Sequence, residues 1–128
     1  MILLLDTSTP TCKLTLIDGD SRHDQTWEAG RELAKGLLGF LQQELKAAGA
    51  SWSDLSGLGV FRGPGSFTGL RIGMTVLNTM ADTLAIPIVA STGEGWQGTA
   101  LARLEAGEND HLALPFYGAE ANITTPRK

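Results

Sequence analysis

Phe61-Arg62-Gly63-Pro64-Gly65-Ser66-Phe67-Thr68-Gly69-Leu70-Arg71-Ile72-Gly73 is the stretch on which the rest of the chain depends. Leu58 to Phe61, just before it, reads as the end of a buried strand. Phe67 to Leu84, just after it, reads as a helix with almost no charge. Gly63-Pro64-Gly65 forces a tight turn between them, because proline fixes φ and glycine accepts backbone that other residues avoid. Ser66 stands where a helix N-cap belongs, with a hydroxyl able to accept from an orphan N–H of the first turn. A strand, a glycine-rich turn and a capped helix can cradle an anion, since free N–H groups and the helix dipole point at the turn. The same elements also serve as a plain strand-to-helix corner.

Working outward, the 128 residues suffice for one domain with a real core and are too few for two. Apolar content of 42% and charged content of 19% describe an ordinary globular chain. A formal charge of −4 argues against this chain gripping nucleic acid by itself, because backbone affinity comes mainly from Lys and Arg. Cys12 is the only cysteine, which excludes an intrachain disulfide and a cysteine-based zinc site. Met1 to Leu5 is apolar, but Asp6 interrupts it short of a signal-peptide core and no basic segment precedes it. No run approaches the length of a membrane span, so the expectation is a cytoplasmic protein with no membrane contact.

Ile2 to Leu5 suits a central strand buried on both faces. Cys12 to Ile17 alternates as a half-buried strand does, and Asp18-Gly19-Asp20 is a hairpin turn. Arg22 to Glu28 reads as a polar edge strand. Glu32 to Ala48 is a helix with Leu33, Leu37, Phe40, Leu41 and Leu45 on one broad face. A loop with a short helical turn near Ser53 leads into the fourth strand and the glycine motif. Ile86 to Ala90 reads as a fifth strand, Thr92 to Leu104 as a weaker helix and Leu112 to Tyr117 as a short extended segment. Residues 1–118 are expected to form one domain and 119–128 a polar tail. The order βββαβαβα places three parallel strands beside an antiparallel meander, with the two main helices on one face. This is an α/β, ribonuclease-H-like half-domain of the kind used by actin-like ATPases.

The string from Gly63 to Gly73 resembles the hallmark of the TsaB family, also called YeaZ. The family motif covers Gly63, Pro64, Gly65, Ser66, Phe67, Thr68, Gly69, Arg71 and Gly73. The resemblance implies a non-catalytic subunit of the bacterial machinery that makes threonylcarbamoyladenosine on tRNA. It implies a heterodimer with the related catalytic subunit TsaD, with TsaE joining the full complex and tRNA contacted only through that complex. It further implies that this chain binds no cofactor alone, ATP and a divalent metal residing in the partner subunits. Family members usually carry a second, degenerate lobe, which is absent here or shrunk to the last twenty or so residues.

Candidate chemistry is sparse. Asp6 and Thr7, with Gly65 and Ser66, form a vestigial nucleotide-binding set, and a nucleotide-binding enzyme using them is the alternative function. Against it, Asp6 reads equally as an Asx turn at a strand end, and actin-like ATPases close nucleotide between two such half-domains. His23 and His111 lack the i,i+4 spacing of a metal-ligating pair, so no metal site is expected. Ser66 is not in a nucleophile elbow, and capping is its expected role. Arg71 is either an ion-pairing residue or a partner contact. Trp27, Trp52 and Trp96 are expected in packing.

The positive expectation is a surface. Gly36, Gly39, Gln43 and Ala47 form a small-residue ridge on the first helix, and Gly69, Gly73, Val76, Leu77 and Met80 one on the second. Two helical glycines cost roughly 1 kcal/mol each against alanine, so they call for a packing reason. The expected reason is a partner's helix pair, with self-association through the same patch when that partner is missing; the alternative is that the ridges pack on each other or on the third helix.

Overall fold

In the computed structural model, which describes residues 1–116, β1 (Ile2–Asp6) is the centre of a five-stranded sheet. The strand order is β3-β2-β1-β4-β5. β2 (Thr11–Asp18) and β3 (Ser21–Glu28) form the antiparallel meander, in which Leu3 faces Leu16 and Leu16 faces His23. β4 (Gly57–Phe61) and β5 (Ile88–Ser91) run parallel to β1, with Leu3 opposite Leu58 and Leu58 opposite Ile88. The mixed five-stranded architecture expected from the order of elements is the one observed.

Ile2 to Leu5 of β1 are all apolar because both faces of the strand are covered. Leu3 and Leu5, with Leu14, Leu16, Leu58, Val60 and Ile88, pack against α1 (Leu33–Ala47) and α2 (Phe67–Leu84). Leu4 and Val89 point the other way, onto Trp96 and Ala100 of α3 (Trp96–Glu105). Gly59 lets α3 come close, since a Cβ there would lie 2.6 Å from Leu4 and 3.1 Å from Ala100. The sheet is thus a middle layer with two helices on one side and one on the other.

Three boundaries differ from the sequence reading, each for a local reason. α3 begins at Trp96 rather than Thr92, because Gly93 adopts φ +90 and breaks any helix there. β5 begins at Ile88 rather than Ile86, because α2 ends in a left-handed Ala85 and Pro87 has no N–H for the ladder. Residues 111–116 form bends and irregular backbone instead of a strand. Tyr117 and the tail of 119–128 lie outside the described residues.

The segment after α3 protects the exposed edge of β5. The Ile88 N–H donates to Asn109 Oδ1 at 3.0 Å, the Asp110 N–H to the Ile88 carbonyl at 2.8 Å, and the Ala90 N–H to Asp110 Oδ2 at 2.8 Å. Arg103 of α3 pairs with Asp110 and with Glu108. Burial works to raise the Asp110 carboxyl, but the hydrogen bonds from Arg103 and Ala90 prevail and hold it below the usual carboxylate range. Farther along, the Asn78 side chain donates to and accepts from the Ala113 backbone, at 3.0 and 2.7 Å. An edge strand that would invite pairing is sealed by side chains and a crossing segment.

His23, expected as an exposed strand residue, is half-buried and lies 3.0 Å from the buried Glu44 of α1. Trp27 stacks near Phe40 with ring centroids 5.2 Å apart, and Trp96 is buried, so both serve packing as expected. Burial, reinforced by the nearby Asp6 carboxylate, pushes the Cys12 thiol up to about 12, which keeps it protonated and unreactive.

Candidate functional site: the glycine turn and the outer face of the helix pair

The glycine turn and the β1–β2 turn meet, as a nucleotide site built from both would require. What they do there is fill one another. Asp6 Oδ1 accepts from the Ser8 N–H at 2.9 Å, the local Asx bond of a turn. The Ser8 carbonyl accepts from the Ser66 N–H at 2.8 Å. A Cβ on Gly65 would lie 2.5 Å from the Cβ of Ser8. The Ser66 hydroxyl accepts from the Gly69 N–H at 3.1 Å, the N-cap role read from the sequence. The Ser8, Ser66 and Gly69 N–H groups are therefore committed to protein oxygens. The Gly63–Pro64 bond is cis, and the Thr92 hydroxyl donates to the Gly63 carbonyl, tying the turn to the end of β5. Among the described residues no three His, Cys, Asp or Glu side chains converge as metal ligands.

Thr7 explains the glycines farther along α2. Its hydroxyl donates to the Gly69 carbonyl at 2.7 Å in a buried bond. A Cβ on Gly69 would collide with the Thr7 carbonyl oxygen, and one on Gly73 with the Thr7 hydroxyl. The second half of the motif is a socket for Thr7.

This corrects the expected docking ridges. Gly69, Gly73, Leu77 and Met80 face the interior, with Leu77 at 0% and Met80 at 7% exposure, and only Val76 of that set is partly open. Gly36 is covered by the chain's own Trp27, whose ring would lie 2.7 Å from an added Cβ. Gly39, Gln43 and Ala47 are exposed, and a Cβ on Gly39 would meet nothing within 4 Å. A bulky residue at Gly73 or Gly36 would therefore damage the fold before it tested any interface. The signal was present in the spacing. Gly69, Gly73, Leu77 and Met80 recur at i, i+4, i+8 and i+11, a stripe continuous with the core face of Leu70, Met74 and Ala81.

What remains open is the groove between α1 and α2, for which the sequence reading names Gly69, Val76 and Met80 and offers Arg71 as a partner contact, but omits Ala34, Leu38, Ile72 and Thr75. One end is lined by Thr9, Pro10, Arg31 and Leu33 with Ser66 and Thr68. The middle is lined by Ala34, Thr68, Arg71, Ile72, Thr75 and Val76. The far end is lined by Leu38, Trp52, Thr79, Met80, Thr83 and Leu84. Leu38, in the middle of α1, is 54% exposed and continues the apolar lining of the groove toward Trp52 and Leu84. The Arg71 guanidinium lies 5.1 Å from the centre of the Phe67 ring, a cation–π contact at the groove's rim.

Comparison with known proteins now places the chain. The family model described as "TsaD: tRNA N6-adenosine threonylcarbamoyltransferase" matches residues 27–93, the span that holds both helices and the glycine turn. The TsaB protein of Escherichia coli is 33% identical over 88 residues, which are 69% of this chain and 38% of that protein. The chain belongs to the TsaB/YeaZ family. The Haemophilus influenzae TsaB is 29% identical over 113 residues, 88% of this chain and 48% of that one. Among solved structures, YeaZ from Pseudomonas aeruginosa superposes with a TM-score of 0.69 at 31% identity, covering 83% of this chain and 49% of that one. The fold is thus the actin-like, ribonuclease-H-like one of that family. The chain spans less than half the length of these relatives.

Proposed function

We propose that this chain acts in tRNA threonylcarbamoyladenosine biosynthesis as an accessory subunit that contributes no catalytic residue. Its relatives are named as biosynthesis proteins of that modification. It docks on TsaD through the outer face of α1 and α2, helix pair on helix pair, and stabilises the competent arrangement of that partner by binding it preferentially. ATP, the divalent metal and TsaE belong to the partner side of the assembly, tRNA is reached only through it, and the setting is the cytoplasm. No helix among the described residues is long and apolar enough to cross a membrane.

The observation that carries the reading is the open groove, with Leu38 standing out at its far end and Ile72 and Val76 along its middle. Exposed apolar surface of this kind marks an interface. The alternative, a nucleotide-binding enzyme, has its candidate cradle filled by Ser8 and Thr7.

Co-purification of the tagged chain with TsaD from the same cell tests the proposal, with nucleoside mass spectrometry of tRNA as the functional readout. Leu38→Glu, at an exposed position, should abolish co-purification while leaving the circular dichroism spectrum and melting temperature unchanged. Retained binding by that variant would remove the groove from the proposal. Clear binding of ATP and magnesium by the chain alone, read by calorimetry, would restore the enzyme reading.

A further inference from the structure

The two edges of the sheet are finished differently. β5 is sealed by Asn109, Asp110 and the segment that follows α3. β3, at the other end of the strand order, has no such cover among the described residues. It is eight residues long, holds no proline, glycine or lysine, and pairs with β2 without a bulge. Of the usual devices that blunt an open edge, only charge is present.

The register fixes which backbone groups are free. The two-residue turn closes on Asp18 and Ser21, and the ladder runs on to the Ala29 N–H, which donates to the Pro10 carbonyl at 3.1 Å. Ser21, His23, Gln25 and Trp27 therefore turn their N–H and C=O groups to β2. Arg22, Asp24, Thr26 and Glu28, all exposed, turn theirs to the open side. Of those four N–H groups only that of Thr26 has a partner among the described residues, Gln25 Oε1 at 3.2 Å.

A strand that pairs with its own copy antiparallel does so about a two-fold axis, and outward groups must meet outward groups. With the axis at Gln25, Arg22 stands opposite Glu28 of the second copy and Asp24 opposite Thr26, each twice by symmetry. With the axis at Asp24, two Asp24 carboxylates face each other; with the axis at Thr26, Asp24 faces Glu28. Opposite charges directly across a ladder stabilise it and like charges destabilise it, so the register centred on Gln25 is selected. Its side chains have the capacity it needs. Arg22 gives Nε to Asp24 at 2.8 Å and Nη2 to Gln97 at 2.7 Å, and its Nη1 has no partner among the described residues. Glu28 accepts only from the Thr11 hydroxyl there, and the Thr26 hydroxyl has no partner among the same residues. The remaining charged groups near the edge do not oppose the pairing. Past the strand ends Asp20 comes toward Arg31 of the second copy, with Glu32 beyond it at the start of α1. Lys13 and Asp18 lie one strand in, and His23 pairs with Glu44.

We propose that β3 is a self-recognition edge, through which residues 22–28 of two copies pair antiparallel about Gln25 and join their sheets into one. The occupant is a second copy because β3 itself presents the complementary charges in the only register that its backbone and charges both permit. The groove between α1 and α2 belongs to other elements and stays open. A contact one strand wide is smaller than a standard interface, so the dimer is weak and depends on concentration.

The test uses the full chain carrying Leu38→Glu, so that self-association through the helix face does not contribute. Sedimentation is followed from about 1 μM to about 300 μM, and the chain should pass from monomer to dimer across that range. Adding Arg22→Glu alone or Glu28→Arg alone should raise the dissociation constant about tenfold or more, because each sets like charges opposite one another twice. An equal mixture of the two should recover the dimer, since both cross-strand contacts then join opposite charges. Amide exchange at Arg22, Asp24 and Thr26 should slow as concentration rises, while His23 and Gln25 are slow throughout. A chain that stays monomeric at every concentration overturns the inference. So does a dimer that both reversals leave intact, a mixture that fails to restore what each reversal removes, or exchange at Asp24 and Thr26 that is indifferent to concentration.

Discussion

α1 and α2 each carry a pair of glycines near one helical turn apart, and the two pairs have different fates. On α2, Gly69 and Gly73 are buried and shaped around Thr7. On α1, Gly36 gives room to the Trp27 ring, and Gly39 has nothing near it at all. The same sequence signature therefore covers a backbone socket, a side-chain rest and an open surface. A glycine in a helix says only that a Cβ is unwanted or unneeded. Which of these holds depends on the direction in which it would have pointed.

Gly69→Ala should be the most damaging of the four positions, because the new methyl would meet a backbone carbonyl that cannot rotate away. A loss of about 3 kcal/mol or more is expected, at the upper end of overpacking costs, read as a lowered urea midpoint. A stable Gly69→Ala protein would mean the Thr7 turn can retreat from α2, and the socket description would fail. Gly73→Ala comes next, at about 2 kcal/mol, because its neighbour is a side chain. Here the cause can be isolated. Thr7→Ala alone should cost about 2 kcal/mol, through the lost hydrogen bond to Gly69 and a lost buried methyl. Combined with Gly73→Ala it should cost little more than it does alone, giving a coupling close to the whole Gly73 effect. Additive losses would show that Thr7 is not what Gly73 accommodates.

The architecture was legible because its signals are local. Four consecutive apolar residues in β1, the alternation of β2, the two-residue turn after Asp18 and the Ser66 cap each declare themselves within a few residues. Their order then leaves few topologies. The docking face was legible only in kind. Helical periodicity separates an inner from an outer side, yet which flank of the apolar stripe lies against the chain's own turns depends on contacts far along the sequence. Thr7 reaches Gly69 across 62 residues, and neither residue's neighbours announce it. The same holds for His23 and Glu44, a pair joined only once β3 and α1 are packed. The candidate nucleotide set was legible as a meeting of two turns. That the Ser8 carbonyl takes the Ser66 N–H and Ser8 packs against Gly65 is a matter of a few ångströms that no spacing encodes.

On α1 the effects should be smaller and then change sign. Gly36→Ala places its methyl 2.7 Å from the edge of Trp27. That ring is half-buried and rests on Phe40, so it can shift, and the gain in helix propensity offsets part of the strain. A net loss of about 1 kcal/mol is expected, with a change in tryptophan fluorescence. No loss and unchanged fluorescence would show that the Trp27 ring does not depend on the space that Gly36 leaves.

Gly39→Ala should be the smallest effect and the only favourable one. No atom lies within 4 Å of the added methyl and the backbone is already helical, so the propensity gain of up to about 1 kcal/mol is unopposed. The melting temperature should rise by a few degrees. Stability selected on the chain alone would put alanine there, so an open glycine at the exposed centre of the proposed face is informative. Gly39→Trp separates the two explanations. It should leave the isolated chain as stable as the wild type and yet weaken docking on TsaD, because the bulk stands where a partner helix would approach. If Gly39→Trp docks as well as wild type, the contact does not cross this side of α1 and lies over the α2 side of the groove, around Arg71 and Thr75.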